Sequence, residues 1–305
     1  MSRANDSWFN RRGWRDTIIT APYLWLVLFF LIPFIIVIVM SFAKTATQSP
    51  PFAFLPDWPY VRFETYERLF TNSVYIRAGL ISIYNAAIAT VLCLLIGYPM
   101  ALSITRANKS MQRLLLMLII LPFWTSFLLR VYAWIGLMGR NSWFNKWLTS
   151  AYNVLVPGNW ELPAIQMMNT NFAVVLVMVY SYLPFMVLPL YANLEKLDTT
   201  LNEAAMDLGS RRWQVFRDVT LPLSIPGIIA GGLLVFIPAM GELIIPSLVG
   251  NASDPMIGRV IQQEFGQNRD WPMASAVAVA LLLMLVVPLI VYNHFEAKAQ
   301  AGAKS

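Results

Sequence analysis

The chain has 305 residues, of which 58% are hydrophobic and 12% charged, with a formal net charge of +6. Soluble domains carry about 25% charged residues, so this balance excludes an ordinary soluble domain and points to an integral membrane protein. A single cysteine, Cys93, and a single histidine, His294, exclude an intrachain disulfide and a zinc site, and the positive charge suits anionic lipid headgroups better than nucleic acid.

A spanning helix needs about 20 mostly apolar residues. Six runs meet this, at 21–42, 78–105, 114–138, 171–194, 226–249 and 274–294. The expected fold class is therefore an all-α membrane protein with six transmembrane helices. Its parts are a cytoplasmic tail over 1–20, a six-span domain over 21–294 and a second tail over 295–305. The first run has no small-residue cleavage site and reads as a retained span. After it, "FETYERLF" (63–70) places Phe63, Tyr66, Leu69 and Phe70 at helical spacing. That pattern predicts an amphipathic helix along the outer membrane surface, serving as an anchor or as part of a docking platform. A short loop with Arg106, Lys109 and Arg113 separates the second and third runs, and Arg130 lies inside the third. His294 ends the last run, at the expected membrane interface.

Between the fourth and fifth runs, a loop over 195–225 concentrates charge. Glu203 and Asp207, four residues apart, share a helix face beside Ala204, Ala205 and Leu208. Gly209 is a natural terminator and Ser210 a candidate cap for the next helix. Trp213, Phe216 and Val219 or Thr220 form an apolar stripe, and Pro222 and Pro226 end it. Two short helices joined by a glycine turn are expected. They form either a solvated connection or a knob that fits a groove on another protein.

In the fifth run, Glu242 lies sixteen residues past Pro226, about 24 Å along a helix. Pro238, Gly241 and Pro246 flank it, and such breaks are tolerated where backbone lines a cavity. Charged residues inside spans tend to be functional. A carboxylate beside opened backbone suits a cationic ligand, with Tyr180, Tyr182, Trp124 and Trp134 as candidate cation–π faces. The alternatives are a structural pair between Glu242 and Arg130, and aromatics that merely pack. Lys and Arg counts set orientation. Thirteen basic residues fall in the two tails and in the loops at Arg106–Arg113 and Lys196–Arg217. Eight fall in the opposite loops, so both termini are expected to be cytoplasmic.

"EAAMDLGSRRWQVFRDVTLPLS" (203–224) resembles the conserved loop of ABC importer permeases: Glu-Ala-Ala, three residues, Gly, nine residues, then Ile-x-Leu-Pro. Here Val219 replaces the Ile. The resemblance extends through "LIILPFWTSFLLRVYAW" (118–134), "YLPFMVLPLY" (182–191), "FIPAMGELIIPSLVG" (236–250) and "NRDWPMASA" (268–276). Together these look like the polyamine (putrescine and spermidine) importer permeases, nearest the putrescine type. Permeases for sulfate, molybdate or ferric iron share the plan. The resemblance implies a type I ABC importer permease of the bacterial inner membrane, not itself an enzyme. Glu203, Ala204, Ala205, Asp207 and Gly209 would form a cytoplasmic coupling helix. Implied partners are a second homologous permease, two cytoplasmic ATPase subunits carrying ATP and Mg, a periplasmic polyamine-binding protein and membrane lipid. No cofactor is expected in this chain. No Gly-x-x-x-x-Gly-Lys-Ser/Thr loop, His-Glu-x-x-His pair or nucleophile elbow occurs in the sequence. A secondary transporter without ATP remains the other class, though no inverted repeat is visible.

Overall fold

The structure, a computed structural model, describes residues 11–46, 50–53, 63–155 and 164–302. The chain divides into two compact units, Met1–Thr71 with Gln263–Ala280, and Asn72–Gln262 with Leu281–Ser305.

In the first unit, α1 (Arg11–Leu26), a π turn (Val27–Leu31) and α2 (Ile32–Met40) run on from one another. Over Ile19–Met40 they make an apolar rod that contains an 18-residue stretch of mean hydropathy 2.9. The wide turn immediately precedes Pro33 at the start of α2, where the missing proline N–H breaks the regular ladder. Two short strands, β1 (Lys44–Thr45) and β2 (Phe52–Ala53), pair antiparallel. The segment expected to lie along the membrane surface is helical, as α3 (Glu64–Thr71), but its stripe splits. Leu69 is buried and the Tyr66 hydroxyl lies 2.7 Å from Ser41 Oγ, whereas Phe63 and Phe70 are exposed.

The second unit is built on α4 (Ser73–Arg106), a 34-residue helix capped by the Asn72 side chain, which accepts from Val74 N. A stripe of small residues runs along its buried side: Ala78, Ser82, Ala86, Ala89, Cys93, Gly97 and Ala101. They recur every three or four positions, so they share one side of the helix and let a neighbour approach closely. After α5 (Lys109–Ile120), a 3₁₀ turn at Leu121–Trp124 holds Pro122, and α6 (Phe127–Met138) leaves at 91°. The third apolar run is thus a sharply bent pair rather than one straight span. A separate helix, α7 (Trp143–Leu155), follows. Its Asn145, fully buried, donates from Nδ2 to Ile165 O at 2.8 Å and accepts from Thr149 Oγ1 at 3.1 Å.

α8 (Asn171–Leu194) is capped by Thr170 and packs on the small face of α4. The Cys93 thiol points at Val179 O, 3.6 Å away, and Gly97 faces Met186 and Val187. Then come α9 (Thr199–Asp207), α10 (Arg212–Val215), a π turn (Phe216–Thr220), α11 (Leu221–Leu223) and α12 (Ile225–Met240). The chain bends by 62° between α11 and α12. α4, α8 and α12 pack against one another as the core, where Val177, Met178, Met186, Val187, Leu190 and Val235 are fully buried. α13 (Ile244–Val249) and α14 (Ile257–Gln262) complete this unit.

α15 (Trp271–Gly302) opens in the first unit, where Asp270 stands at its start. Asp270 accepts from Met273 N, Thr45 Oγ1 and Arg68 Nη1. The position expected for His294 falls among side chains outside the described ones. By length and composition, three described helices can each cross a membrane, or five if each bent pair is one span. Trp271–Val286 adds a shorter apolar helix. The fifth run does not continue to 249: its helix ends at Met240, and α13 is a separate piece.

Candidate functional site

Among the described residues, two places singled out from the sequence combine charge with a break in helix. One is the interruption between α12 and α13. Pro238 and Gly241 weaken the ladder there, and Glu242 and Leu243 are not helical. Glu242 is 8% exposed. Its Oε1 accepts from the backbone N–H groups of Ile244 (2.8 Å) and Ile245 (3.3 Å), satisfying two orphan donors at the start of α13. Its Oε2 accepts from the Tyr182 hydroxyl of α8. The carboxylate therefore ties three elements together. Gly258 of α14 backs this elbow: a Cβ there would stand 2.6 Å from Gly241 O and 2.9 Å from Glu242 O.

Of the aromatics picked from the sequence, only Tyr182 touches Glu242. Tyr180 and Trp134 contact each other edge to face at 5.5 Å, and Trp124 is 74% exposed on the 3₁₀ turn. Arg130 forms no ion pair with Glu242 among the described residues. Its guanidinium lies over Phe123 (5.2 Å) and Phe127 (5.6 Å), and its Nε and Nη1 are buried with no acceptor in the described structure. The right-angled bend before α6 explains this, since it carries Arg130 away from the line of a straight third helix. A ring series nevertheless links the two residues. Phe123 meets Phe185 at 5.2 Å, and Phe185 meets Tyr182 at 6.2 Å. Phe185 was not singled out from the sequence, where it reads as one more apolar residue.

The second place is the segment between α8 and α12. Asp198 caps α9, accepting from Thr200 N at 2.9 Å, and that bond holds its carboxyl below the ordinary value. The Tyr191 hydroxyl and then Lys109 hold Glu195 down in the same way. α9 ends at Leu208 followed by Gly209 with φ +89°, a left-handed residue where glycine has no Cβ penalty. Ser210 N donates to Ala205 O and Gly209 N to Met206 O, which is the two-bond glycine closure of a helix end. Glu203, Ala204, Asp207 and Leu208 are exposed, Leu208 at 89%. Ser210 does not cap the next helix. Arg211 holds that position, and its N–H is satisfied by Gln214 Oε1 at 2.7 Å. The expected stripe is met in part: Thr220 is buried and Phe216 half-buried, but Val215 is buried as well and Trp213 is 68% exposed. The π turn advances the buried face by about one residue per turn relative to an α-helix.

Sequence reasoning missed the residues that join this knob to the core. At the bend before α12, buried Ser224 Oγ lies 2.9 Å from the Tyr98 hydroxyl of α4, and the Tyr98 ring meets Phe216 edge to face. Tyr98 interrupts an apolar run just before Pro99, which was its only signal.

A helical membrane core, an interrupted apolar helix with a buried carboxylate, and an exposed helix–turn–helix knob define a membrane transport permease. The chain belongs to the family described as binding-protein-dependent transport system inner membrane component, which matches residues 93–300. It is 40% identical over 270 residues to the spermidine/putrescine transport system permease protein PotB of Haemophilus influenzae, covering 88% of this chain and 90% of that one. It is 38% identical over 272 residues to PotB of Escherichia coli, covering 88% and 92%. The molybdenum transport system permease protein ModB of Mycobacterium bovis is 32% identical over 77% of this chain and 82% of its own length. Among solved structures, a bacterial alginate ABC transporter in complex with an alginate pentasaccharide-bound periplasmic protein shares the fold. Its TM-score is 0.68 at 18% identity, over 95% of this chain and 96% of that one.

Proposed function

We propose that this chain is the permease subunit of an ATP-driven importer of polyamines, putrescine or spermidine, in the bacterial inner membrane. The observation that carries the reading is the 40% identity, over nine-tenths of the relative, to a permease whose name gives those substrates. In this reading both termini face the cytoplasm, and the path is completed by a second homologous permease. A periplasmic polyamine-binding protein delivers the cargo. Glu203, Ala204, Ala205, Asp207 and Gly209 form the coupling element toward two ATPase subunits, which hold ATP and Mg and carry out the hydrolysis. The exposure of Glu203, Ala204, Asp207 and Leu208 supports that role, because side chains left open to solvent on one face of the knob are free to enter a groove.

Glu242, Tyr182, Tyr180, Trp124 and Trp134 are assigned to the cargo path. Glu242 is held by Tyr182, so an arriving ammonium group must share or replace the tyrosine's hydrogen bond. The polyamine reading is tested by uptake of labelled putrescine, spermidine and molybdate in cells that lack other importers and carry this transporter. Accumulation of the amines alone supports it. Accumulation of molybdate without the amines overturns it in favour of an anion permease.

A further inference from the structure

A cavity of about 490 Å³ lies between the end of α4 and the knob. Arg106, the last residue of α4, and Arg212, the first of α10, both line it. Neither has an ion-pair partner among the described residues, whereas the neighbouring Lys109 and Arg217 are matched by Glu195 and Asp218. The remaining wall is mostly apolar, with Leu102, Met206 and Phe216 lining it beside the exposed Trp213. The apolar run of α4 ends one residue before Arg106, so the cavity stands where bilayer meets water.

We propose that this cavity binds the phosphate headgroup of an anionic phospholipid. A guanidinium fork matches phosphate oxygens in two-pronged geometry. Basic pockets beside membrane helices hold anionic headgroups, and indoles favour the same depth. A free phosphate would use the two arginines and leave the apolar wall uncovered. A phospholipid covers both, with its glycerol and upper acyl carbons against Leu102, Met206 and Phe216. The bound lipid would wedge between the central helix and the knob, so its presence would bear on how the knob is held.

The test is native mass spectrometry of the transporter purified in mild detergent, with phosphatidylglycerol or phosphatidylcholine of equal chain length supplied. Retention of phosphatidylglycerol over phosphatidylcholine is expected. Arg106→Gln and Arg212→Gln should each lower it about fivefold, the effect of roughly one interfacial basic contact. Arg140→Gln, far along the chain from this cavity, serves as the control for bulk charge. Equal retention by all variants, or an equal drop in Arg140→Gln, overturns the proposal. Displacement of the lipid by inorganic phosphate at millimolar concentration assigns the site to a free anion and overturns the lipid source. Unchanged lipid retention with loss of an accompanying ATPase subunit in Arg212→Gln shows a protein contact instead, and also overturns it.

Discussion

Three donors of its own chain converge on the Glu242 carboxylate, and this sets what each substitution there removes. Glu242→Ala leaves the Tyr182 hydroxyl and the N–H groups of Ile244 and Ile245 without their acceptor. Each buried unsatisfied group costs about 1–3 kcal/mol. Glu242→Gln keeps an amide oxygen for the two N–H groups, removes the charge, and puts an NH2 donor where Oε2 accepted from Tyr182, whose hydroxyl can turn to accept instead. Glu242→Ala should therefore lower the unfolding midpoint in detergent markedly, and Glu242→Gln only slightly. Polyamine uptake should fall at least about tenfold in both, in line with losing a charged hydrogen bond of ~1.5–3 kcal/mol. Full uptake by Glu242→Gln would leave the carboxylate a purely structural role. Tyr182→Phe isolates the remaining donor and should cost about 1.5–3 kcal/mol, as for a hydrogen bond to a charged group. The sequence revealed Glu242, because a carboxylate inside an apolar run is conspicuous. It did not reveal that Tyr182, sixty residues away, would be the one aromatic to meet it. Hydropathy reports that a side chain is buried, not which neighbour buries it.

At the scale of elements, the elbow between α12 and α13 depends on how closely α14 approaches. Gly258→Ala brings a methyl group within 2.6–2.9 Å of two backbone oxygens, and backbone cannot step aside as a side-chain tip can. Overpacking of this kind costs about 1–3 kcal/mol, and it pushes on the two carbonyls that flank Glu242. Gly136→Ala on α6 meets nothing within 4 Å and serves as the matched comparison. Thermal unfolding together with uptake should separate the two, with Gly258→Ala impaired in both and Gly136→Ala in neither. Elements with strong local signals were readable: the long apolar helices, α3, and the glycine-terminated α9. The bends were less so. Pro122 marks a break in the third run, but a right angle is set by what α5 and α6 pack against, which no single run encodes. The altered stripe after Arg212 has a similar origin, since the π turn over Phe216–Thr220 puts Val215 and Thr220, five residues apart, on the same buried side.

Across the whole molecule, a single native cysteine makes the proposed orientation testable. Cys93 is fully buried against α8. In a Cys93→Ser background, a cysteine placed at Leu208 should react with a membrane-impermeant maleimide only when the inner face is open to the reagent. One placed at Phe70 should react from the outer face. Labelling of Leu208→Cys in intact cells would reverse the orientation and detach the knob from any cytoplasmic ATPase. The central helix has a further consequence. Along α4, Ala78, Ala86, Ala89 and Ala101 have 0–1% exposure, while Leu80, Tyr84, Val91 and Leu95 stand more than half exposed on the other side. Mutational latitude must therefore differ between its two sides. Outward positions can drift among bulky oily residues, but the alanine positions packed against α8 and α12 have room for little more than a methyl group, so descendants of this gene would keep the smallest amino acids at those sites through an otherwise changeable rod.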